Sequence, residues 1–197
     1  MMLVLVCFVA YLMGSIPFGL IVSHLWAKID IRKHGSGNIG MTNVMRTLGY
    51  MPGLATLLLD AGKGAAAVML ARRVSNDPMV WLACGFCAIV GHNWPVFLKF
   101  RGGKGVATTA GVFFSAAPKV ALALFCVFMI VVISTRYVSL GSIIAAVTLP
   151  LWLFLFGFPW QGLALGTLIT VITIVRHRSN IGRLLAGTEY RFGQKSR

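Results

Sequence analysis

The sequence predicts an all-α integral membrane protein, a bundle of seven transmembrane helices with glycine-rich loops on one face. Two observations carry this prediction. Hydrophobic residues make up 58% of the 197-residue chain, which is too apolar for a soluble globular domain. The chain has 18 Lys and Arg but only 4 Asp and Glu, and seven of these cations lie in three short polar segments between long apolar runs. We predict a single membrane-embedded domain over residues 1–197.

Apolar runs of about 20 residues are long enough to cross a bilayer as helices. The first run has no basic n-region and no clear cleavage site, which predicts a retained helix rather than a signal peptide. The fourth is short, so residues 105–134 could instead form one long helix, although Pro118 and Lys119 near its middle favour a turn. The predicted spans are Leu3–Ala27, Met51–Ala71, Met79–Leu98, Val106–Ala117, Lys119–Thr135, Leu140–Phe156 and Gly162–Val175.

The distribution of cations decides between these two alternatives. With six spans, Arg136 and the basic tail, which includes Lys195 and Arg197, would lie outside the cell; Lys63 lies inside the second span in either case. Cytoplasmic loops carry an excess of Lys and Arg. We therefore predict seven spans, with the amino terminus outside, the carboxyl terminus in the cytoplasm and the three polar segments on the cytoplasmic face. With seven spans, few cations lie on the opposite face: Arg72, Arg73 and Lys119.

The first polar segment, the first motif, reads GSGNIGMTNVMR from Gly35 to Arg46. Gly35, Gly37 and Gly40 formally match a dinucleotide-binding fingerprint, but a membrane helix rather than a strand precedes them, so a Rossmann site is excluded. Such a backbone can still turn several N–H groups toward an anion. The alternative is a plain turn and helix cap before a short interfacial helix. The side chains that could add donors and charge to an anion site are Ser36, Asn38, Thr42, Asn43 and Arg46.

The second motif, KFRGGKG, runs from Lys99 to Gly105. It lacks the glycine and the hydroxyl residue that a Walker loop places around its Gly-Lys pair, so nucleotide hydrolysis is not supported. His92, near the end of the third span, could reach the same cytoplasmic mouth or could serve only as a helix–helix hydrogen bond. At the start of the next helix, four residues can offer backbone N–H groups and one ammonium to a phosphate: Gly102, Gly103, Lys104 and Gly105.

The third motif, RHRSNIGRLLAG, begins where the seventh span ends. His177 and Asn180 are spaced i, i+3 and could face the mouth of the bundle together. The same spacing predicts that Asp60 and Lys63 pair inside the second span, because intramembrane charges are costly unless they are paired.

The acidic residues are also informative. Asp30, Asp60, Asp77 and Glu189 never cluster along the chain, so no paired-carboxylate Mg²⁺ site can be assembled from nearby sequence, and we predict neither a metal nor a cofactor. The His-x4-Asp pair of common glycerolipid acyltransferases is absent too. Anionic lipid headgroups and cytoplasmic anions explain the net charge of +14 more simply than nucleic acid does.

Taken together, GSGNIGMTNVMR, GHNWPVFLKFRGGKGVAT and HRSNIGRLLAGTE resemble the three signature segments of the bacterial PlsY family of acyl-phosphate:glycerol-3-phosphate acyltransferases, in order and along essentially the whole chain. The resemblance implies an inner-membrane enzyme that forms lysophosphatidic acid and inorganic phosphate in phospholipid biosynthesis. It implies acyl-phosphate and glycerol 3-phosphate as substrates, with a soluble acyl-phosphate-forming enzyme as upstream partner.

The resemblance also implies roles for individual residues. Ser36, Arg46, Lys104, His177 and Asn180 would hold the glycerol phosphate. Gly37, Asn38, Thr42, Asn43 and the Gly102–Gly103 pair would favour the acyl-phosphate. Because no acid lies in the three motifs, we hypothesise that the donor's own phosphate takes the hydroxyl proton, with His92 or His177 as the alternative base.

Two other functions were weighed. A transporter of phosphorylated anions would suit cation-lined helix breaks, but it predicts an internal repeat and polar residues across the membrane, and the sequence has neither. A lipid-binding scaffold would explain the basic tail but not three separate glycine-rich loops.

Overall fold

A computed structural model describes residues 1–193 of the chain, so that Lys195 and Arg197 of the predicted basic tail lie outside the described residues. Over that range the secondary structure is helical. The chain divides into two compact units, the first comprising Met1–Ala116 and the second beginning at Ala117. The prediction of a single domain over residues 1–197 stays a prediction.

The first unit contains six α-helices and two short 3-10 helices among its described residues. The 3-10 turns are Ile31–Lys33, before the first motif, and Val96–Leu98, before the second. The α-helices are α1 (Met2–Ser15), α2 (Phe18–Ala27), α3 (Met41–Leu48), α4 (Tyr50–Arg72), α5 (Pro78–Asn93) and α6 (Val106–Ala116).

The second unit is an antiparallel series of apolar helices followed by one polar helix. In the described part of this unit, apolar side chains of α7 such as Phe125, Ile130 and Ile133 remain exposed, as expected of a surface that faces lipid rather than water. Its helices are α7 (Pro118–Thr135), α8 (Val138–Leu155), α9 (Trp160–Arg176) and α10 (Arg178–Leu185).

The predicted first span, Leu3–Ala27, is interrupted in the structure. Between α1 and α2, Ile16 has extended backbone angles of φ −63° and ψ 118°, and Pro17 follows. Proline has no N–H and disfavours a helical conformation in the residue before it. The break therefore has a local cause, and it leaves the carbonyl of Ile16 available to a partner from another helix.

The predicted turn between the fourth and fifth spans is present. α6 ends at Ala116 and α7 begins at Pro118, where the missing N–H is tolerated because the first turn of a helix has no partner for it. One long helix over residues 105–134 is therefore excluded.

Within residues 1–193, five segments are long and apolar enough to cross a membrane, the first counted through its break from Met2 to Ala27. α6 and α9 are shorter, at 11 and 17 residues. At 1.5 Å per residue α6 is only about 16 Å long, about half of the hydrocarbon thickness of a bilayer. The chain is thus an integral membrane protein by length and composition of its helices.

Close approach of small residues packs the helices of the first unit. An added Cβ at Gly14 would overlap the Ala88 backbone, and one at Gly111 would overlap that of Ala61. Membrane helices gain little from hydrophobic sorting against lipid, so close van der Waals contact through small residues holds them together. This packing joins α1 to α5 and α4 to α6, and it brings the ends that carry the first two motifs toward each other.

Candidate active site

Asn43 organises the first motif. Its side chain is buried at the start of α3 and is 1% exposed. Its Nδ2 donates to the carbonyls of Ile31, His34 and Asn38 at 3.3, 3.0 and 2.9 Å, and its Oδ1 accepts the N–H of Ser36 at 2.9 Å. One amide therefore ties down the backbone on both sides of the Gly35–Gly37 turn.

The turn itself needs glycine at Gly35. Its φ is +56°, and a Cβ there would overlap the Oδ1 of Asn43. Gly35 thus combines a left-handed conformation with close contact to the side chain that holds the loop. Ser36, at the tip of this turn, is exposed, while Thr42 and Arg46 are half-buried on α3, one helical turn apart.

An apolar contact brings the first motif to the second. Ile31, Ile39 and Val44 form a buried cluster, and Leu98 packs against it. Leu98 ends the 3-10 turn that leads directly into Lys99. The structure therefore brings the first two motifs together in the first unit, and their shared cytoplasmic face stays a prediction.

The second motif lies against the end of α5. Gly103 donates its N–H to the main-chain carbonyl of His92 at 3.1 Å. A Cβ at Gly102 would overlap that carbonyl and the ring of Pro95, and one at Gly103 would overlap Nε2 of His92. Both positions therefore require glycine, because a side chain would collide with the end of α5. Lys104, which follows them, is half-buried.

His92 belongs to a buried ionic group that we call the intramembrane cluster: Asp60, Lys63 and His92. Oδ1 of Asp60 lies 2.9 Å from Nζ of Lys63 and 3.5 Å from Nδ1 of His92. The predicted pairing of Asp60 with Lys63 is confirmed. The contact with His92 could not be read from spacing, because it joins α4 to α5.

The Asp30–Arg32 pair precedes the first motif. The Arg32 side chain donates to both carboxylate oxygens of Asp30. This side-chain hydrogen bonding is the main reason that the pKa of Asp30 falls to about 2. Asp30 is therefore ionised at neutral pH and forms a local ion pair with Arg32.

In the second unit, His177 joins α9 to α10 and is 2% exposed. Its Nδ1 lies 2.8 Å from the carbonyl of Thr173. A carbonyl only accepts, so this nitrogen carries the proton and Nε2 is the nitrogen with acceptor capacity.

Asn180, one turn later, donates to Oε1 of Glu189 at 2.6 Å. Glu189 also accepts from Ser139 at 2.8 Å and from Arg183 at 2.7 Å. Glu189 thus fixes the amide of Asn180 and ties α10 to the start of α8. From the sequence Glu189 is only an isolated acid, because its hydrogen-bond donors come together only in the folded chain.

Among residues 1–193, no three His, Cys, Asp or Glu side chains gather as a metal site. The first two motifs instead contribute glycine-rich backbone and two half-buried cations, Arg46 and Lys104. Such groups can bind phosphate oxygens.

Replacing Asn43 by alanine is expected to loosen the first motif. The Ser36 N–H and the Asn38 carbonyl would lose this partner, at about 1–3 kcal/mol for each that water cannot reach, whereas the carbonyls of Ile31 and His34 also accept the N–H groups of His34 and Gly37. Thermal unfolding in detergent should shift downward, and amide exchange of residues 31–43 should accelerate. Asn76→Ala, in an exposed loop, is the matched control. Wild-type exchange in the Asn43 variant would contradict the role assigned to its amide.

Comparison with known proteins settles the family. Residues 4–187 match the glycerol-3-phosphate acyltransferase family. The chain belongs to this family. A glycerol-3-phosphate acyltransferase of Desulforamulus reducens is 47% identical over 94% of this chain and 93% of its own length. Glycerol-3-phosphate acyltransferase 2 of Moorella thermoacetica is also 47% identical, over 95% of this chain and 96% of its own.

Solved acyltransferase structures are similar as well. Crystal structures of PlsY (YgiH), an integral membrane glycerol 3-phosphate acyltransferase, match with TM-scores of 0.92 and 0.90 at 42% identity. They cover 98% of this chain and 96% of the PlsY chain. One is described as the glycerol 3-phosphate form and the other as the lysophosphatidic acid form. The resemblance predicted from the three motifs is confirmed, and the membership implies an acyltransferase of phospholipid biosynthesis.

Proposed function

We propose that this acyltransferase moves a fatty acyl group from acyl-phosphate to the 1-hydroxyl of glycerol 3-phosphate, giving lysophosphatidic acid and inorganic phosphate. The observation that carries the proposal is the close likeness to PlsY, whose described forms hold an acyl acceptor and an acylated product. The acyl-phosphate donor is what the resemblance to the PlsY family implies, and its chemistry suits a site for which neither a metal nor a cofactor is predicted. An acyl-phosphate is already activated, so the protein need only align the hydroxyl, receive its proton and stabilise charge on the carbonyl oxygen.

The proposed step balances without a cofactor. The 1-hydroxyl oxygen attacks the acyl carbon, a new ester C–O bond forms, and the bond from the acyl carbon to the bridging oxygen breaks. Phosphate leaves with that bridging oxygen. The hydroxyl proton passes to the donor's phosphate, while His92 or His177 is the alternative acceptor. His92 is 4% exposed and its Nδ1 lies beside Asp60, which favours a supporting role for this ring.

The roles proposed for individual residues rest on the family resemblance. The loops at Gly35–Gly37 and Gly102–Gly103 are proposed to bind the acyl-phosphate together with Asn38 and Thr42, although the N–H groups of Ser36, Gly37 and Gly103 already donate within the protein. Asn43 is proposed to act mainly by holding that loop, because its amide already bonds four backbone groups. Ser36, Arg46 and Lys104 are proposed to hold glycerol 3-phosphate, and the roles that the resemblance implies for His177 and Asn180 stay predictions.

We also propose seven spans with the motifs on the cytoplasmic side of the bacterial inner membrane. The five long segments together with α6 and α9 give seven apolar helical segments, and the cation distribution favours this orientation. A soluble enzyme that forms acyl-phosphate would then supply the donor from the cytoplasm. Cysteine accessibility to a membrane-impermeant thiol reagent tests this orientation. Ser75→Cys should react in intact cells, whereas Lys33→Cys should react only after lysis.

The experiment that tests the reaction compares acyl donors. Purified protein is given glycerol 3-phosphate with palmitoyl-phosphate, palmitoyl-CoA or palmitoyl–acyl carrier protein, all in EDTA. We expect lysophosphatidic acid and equimolar phosphate from palmitoyl-phosphate alone. Turnover with a thioester but not with acyl-phosphate would overturn the proposed donor. Uptake of glycerol 3-phosphate into proteoliposomes without any acyl product would favour a transporter instead.

A further inference from the structure

The intramembrane cluster has no step in the proposed reaction, yet it contacts one of the motif loops. Asp60 and Lys63 are 2% and 5% exposed on α4. Charged groups inside a membrane are costly even when paired, and those present usually mark function. A buried ion pair is also weak evidence for stability, because apolar residues of similar volume often replace it without loss.

The contacts of the cluster converge on one carboxylate. Asp60 Oδ1 touches Lys63 and His92 through the distances given above. Lys63 Nζ in turn donates to the carbonyl of Ile16 at 2.8 Å, the group exposed by the break between α1 and α2. Asp60 therefore links the interrupted first span, its own helix α4 and the end of α5.

His92 carries this linkage into the second motif. Its main-chain carbonyl accepts the N–H of Gly103, and its Nε2 occupies the space that a Cβ of Gly103 would need. A backbone with two successive glycines has wide conformational freedom and holds one shape only when its neighbours impose it. The imidazole is such a neighbour, and the oxygen that faces its Nδ1 is Oδ1 of Asp60, at the outer limit of a hydrogen-bond distance.

We propose that Asp60 is a positioning residue for acyl transfer: its carboxylate fixes the imidazole of His92, and His92 fixes the Gly102–Gly103 backbone that receives the acyl-phosphate. The identity of that ligand rests on the proposed function. Asp60 acts through His92 and is not itself a catalytic residue. Lys63 balances the buried charge and anchors the break at Ile16.

Two double variants test whether the Asp60 oxygen that faces His92 matters for the reaction. Both carry Lys63→Met, so that neither leaves a buried ammonium unpaired. Asp60→Leu removes the acceptor, whereas Asp60→Asn keeps an oxygen at the same place. With leucine, kcat/KM for acyl-phosphate is expected to fall by up to about 100-fold, the loss that a displacement of about 1 Å can cause. The KM for glycerol 3-phosphate should rise as well, because Lys104 lies in the same loop, and asparagine should recover most of both losses.

A readout without substrate separates this inference from the proposed function. Amide exchange of residues 102–105 should accelerate in the leucine double variant and not in the asparagine one. His92→Phe, which leaves the Asp60–Lys63 pair in place, should accelerate it as well and covers the case in which the leucine variant does not fold. If the wild-type protein did not use acyl-phosphate, the proposed function would be wrong. The exchange data would still show whether Asp60 positions the Gly102–Gly103 backbone through His92.

The outcomes are distinct. Equal kinetics and equal exchange for the leucine and asparagine variants would show that Asp60 only balances charge, and would overturn the proposal. Faster exchange without any kinetic loss, or wild-type exchange in His92→Phe, would also overturn it. Asp77→Asn, which changes an acid that caps the start of α5, is the control for loss of a negative charge and should behave as wild type.

Discussion

Gly102→Ala is expected to lower the rate of acyl transfer by about 100-fold while the chain still inserts into the membrane. The added methyl group would overlap the carbonyl of His92 and the ring of Pro95 and would also crowd the carbonyl of Asn93. These neighbours are backbone and a proline ring, which cannot rotate away. The second motif must therefore move, and a displacement of about 1 Å can reduce turnover by about 100-fold. Initial rates of phosphate release from palmitoyl-phosphate measure the effect.

Gly62→Ala is the control for this substitution. Gly62 lies in α4, and no atom lies within 4 Å of its would-be Cβ. Alanine is favoured over glycine inside a helix by about 1 kcal/mol, so this variant should have wild-type kinetics and equal or higher thermal stability. If Gly102→Ala matched Gly62→Ala in rate, close contact between the second motif and the end of α5 would not matter for the reaction.

Arg46→Ala is expected to have the second large effect. Arg46 is half-buried on α3, one turn after Thr42 and beyond a loop that Asn43 holds in place. A guanidinium can bind two phosphate oxygens at once. Losing one such preorganised donor typically lowers kcat by about 100- to 1,000-fold. The measurement is kcat and KM for both substrates with the purified variant.

Two further variants give that result its meaning. Arg46→Lys keeps the charge but not the paired donors, and should recover only a small part of the rate. Arg32→Ala removes an exposed cation that is paired with Asp30 and should retain wild-type kinetics. If Arg32→Ala lost as much activity as Arg46→Ala, the loss would reflect the general positive charge of the surface and not a specific role of Arg46. Near-normal kinetics in Arg46→Ala would remove this residue from the site.

The helices of this protein could largely be predicted from its sequence, since they depend on local properties. Pro118 marks the start of α7, and the glycines of the first motif stop where α3 begins at Met41. The break after Ile16 was missed because the run from Leu3 to Ala27 is continuously apolar. Hydropathy does not register a single proline inside such a run, although its missing N–H changes the backbone.

The candidate site could be predicted in composition but not in its supporting contacts. The motifs predict which residue types bind phosphate, and the i, i+3 spacing was enough to predict the Asp60–Lys63 pair. The contact of Asp60 with His92, the bonds of Asn43 to Ile31 and His34, and the convergence on Glu189 join residues that are 9 to 50 positions apart or lie on different helices. Such contacts depend on how helices pack, which no local pattern encodes.

The central claim is that the acyl carbon of an acyl-phosphate is attacked by glycerol 3-phosphate and that phosphate is the leaving group. Palmitoyl-phosphate carrying a heavy oxygen isotope at its bridging position tests this claim directly, with both products analysed by mass spectrometry. We predict that all of the label appears in inorganic phosphate, with one phosphate released for each unlabelled lysophosphatidic acid formed. Label in the lipid product, or phosphate released without an acylated product, would contradict the account.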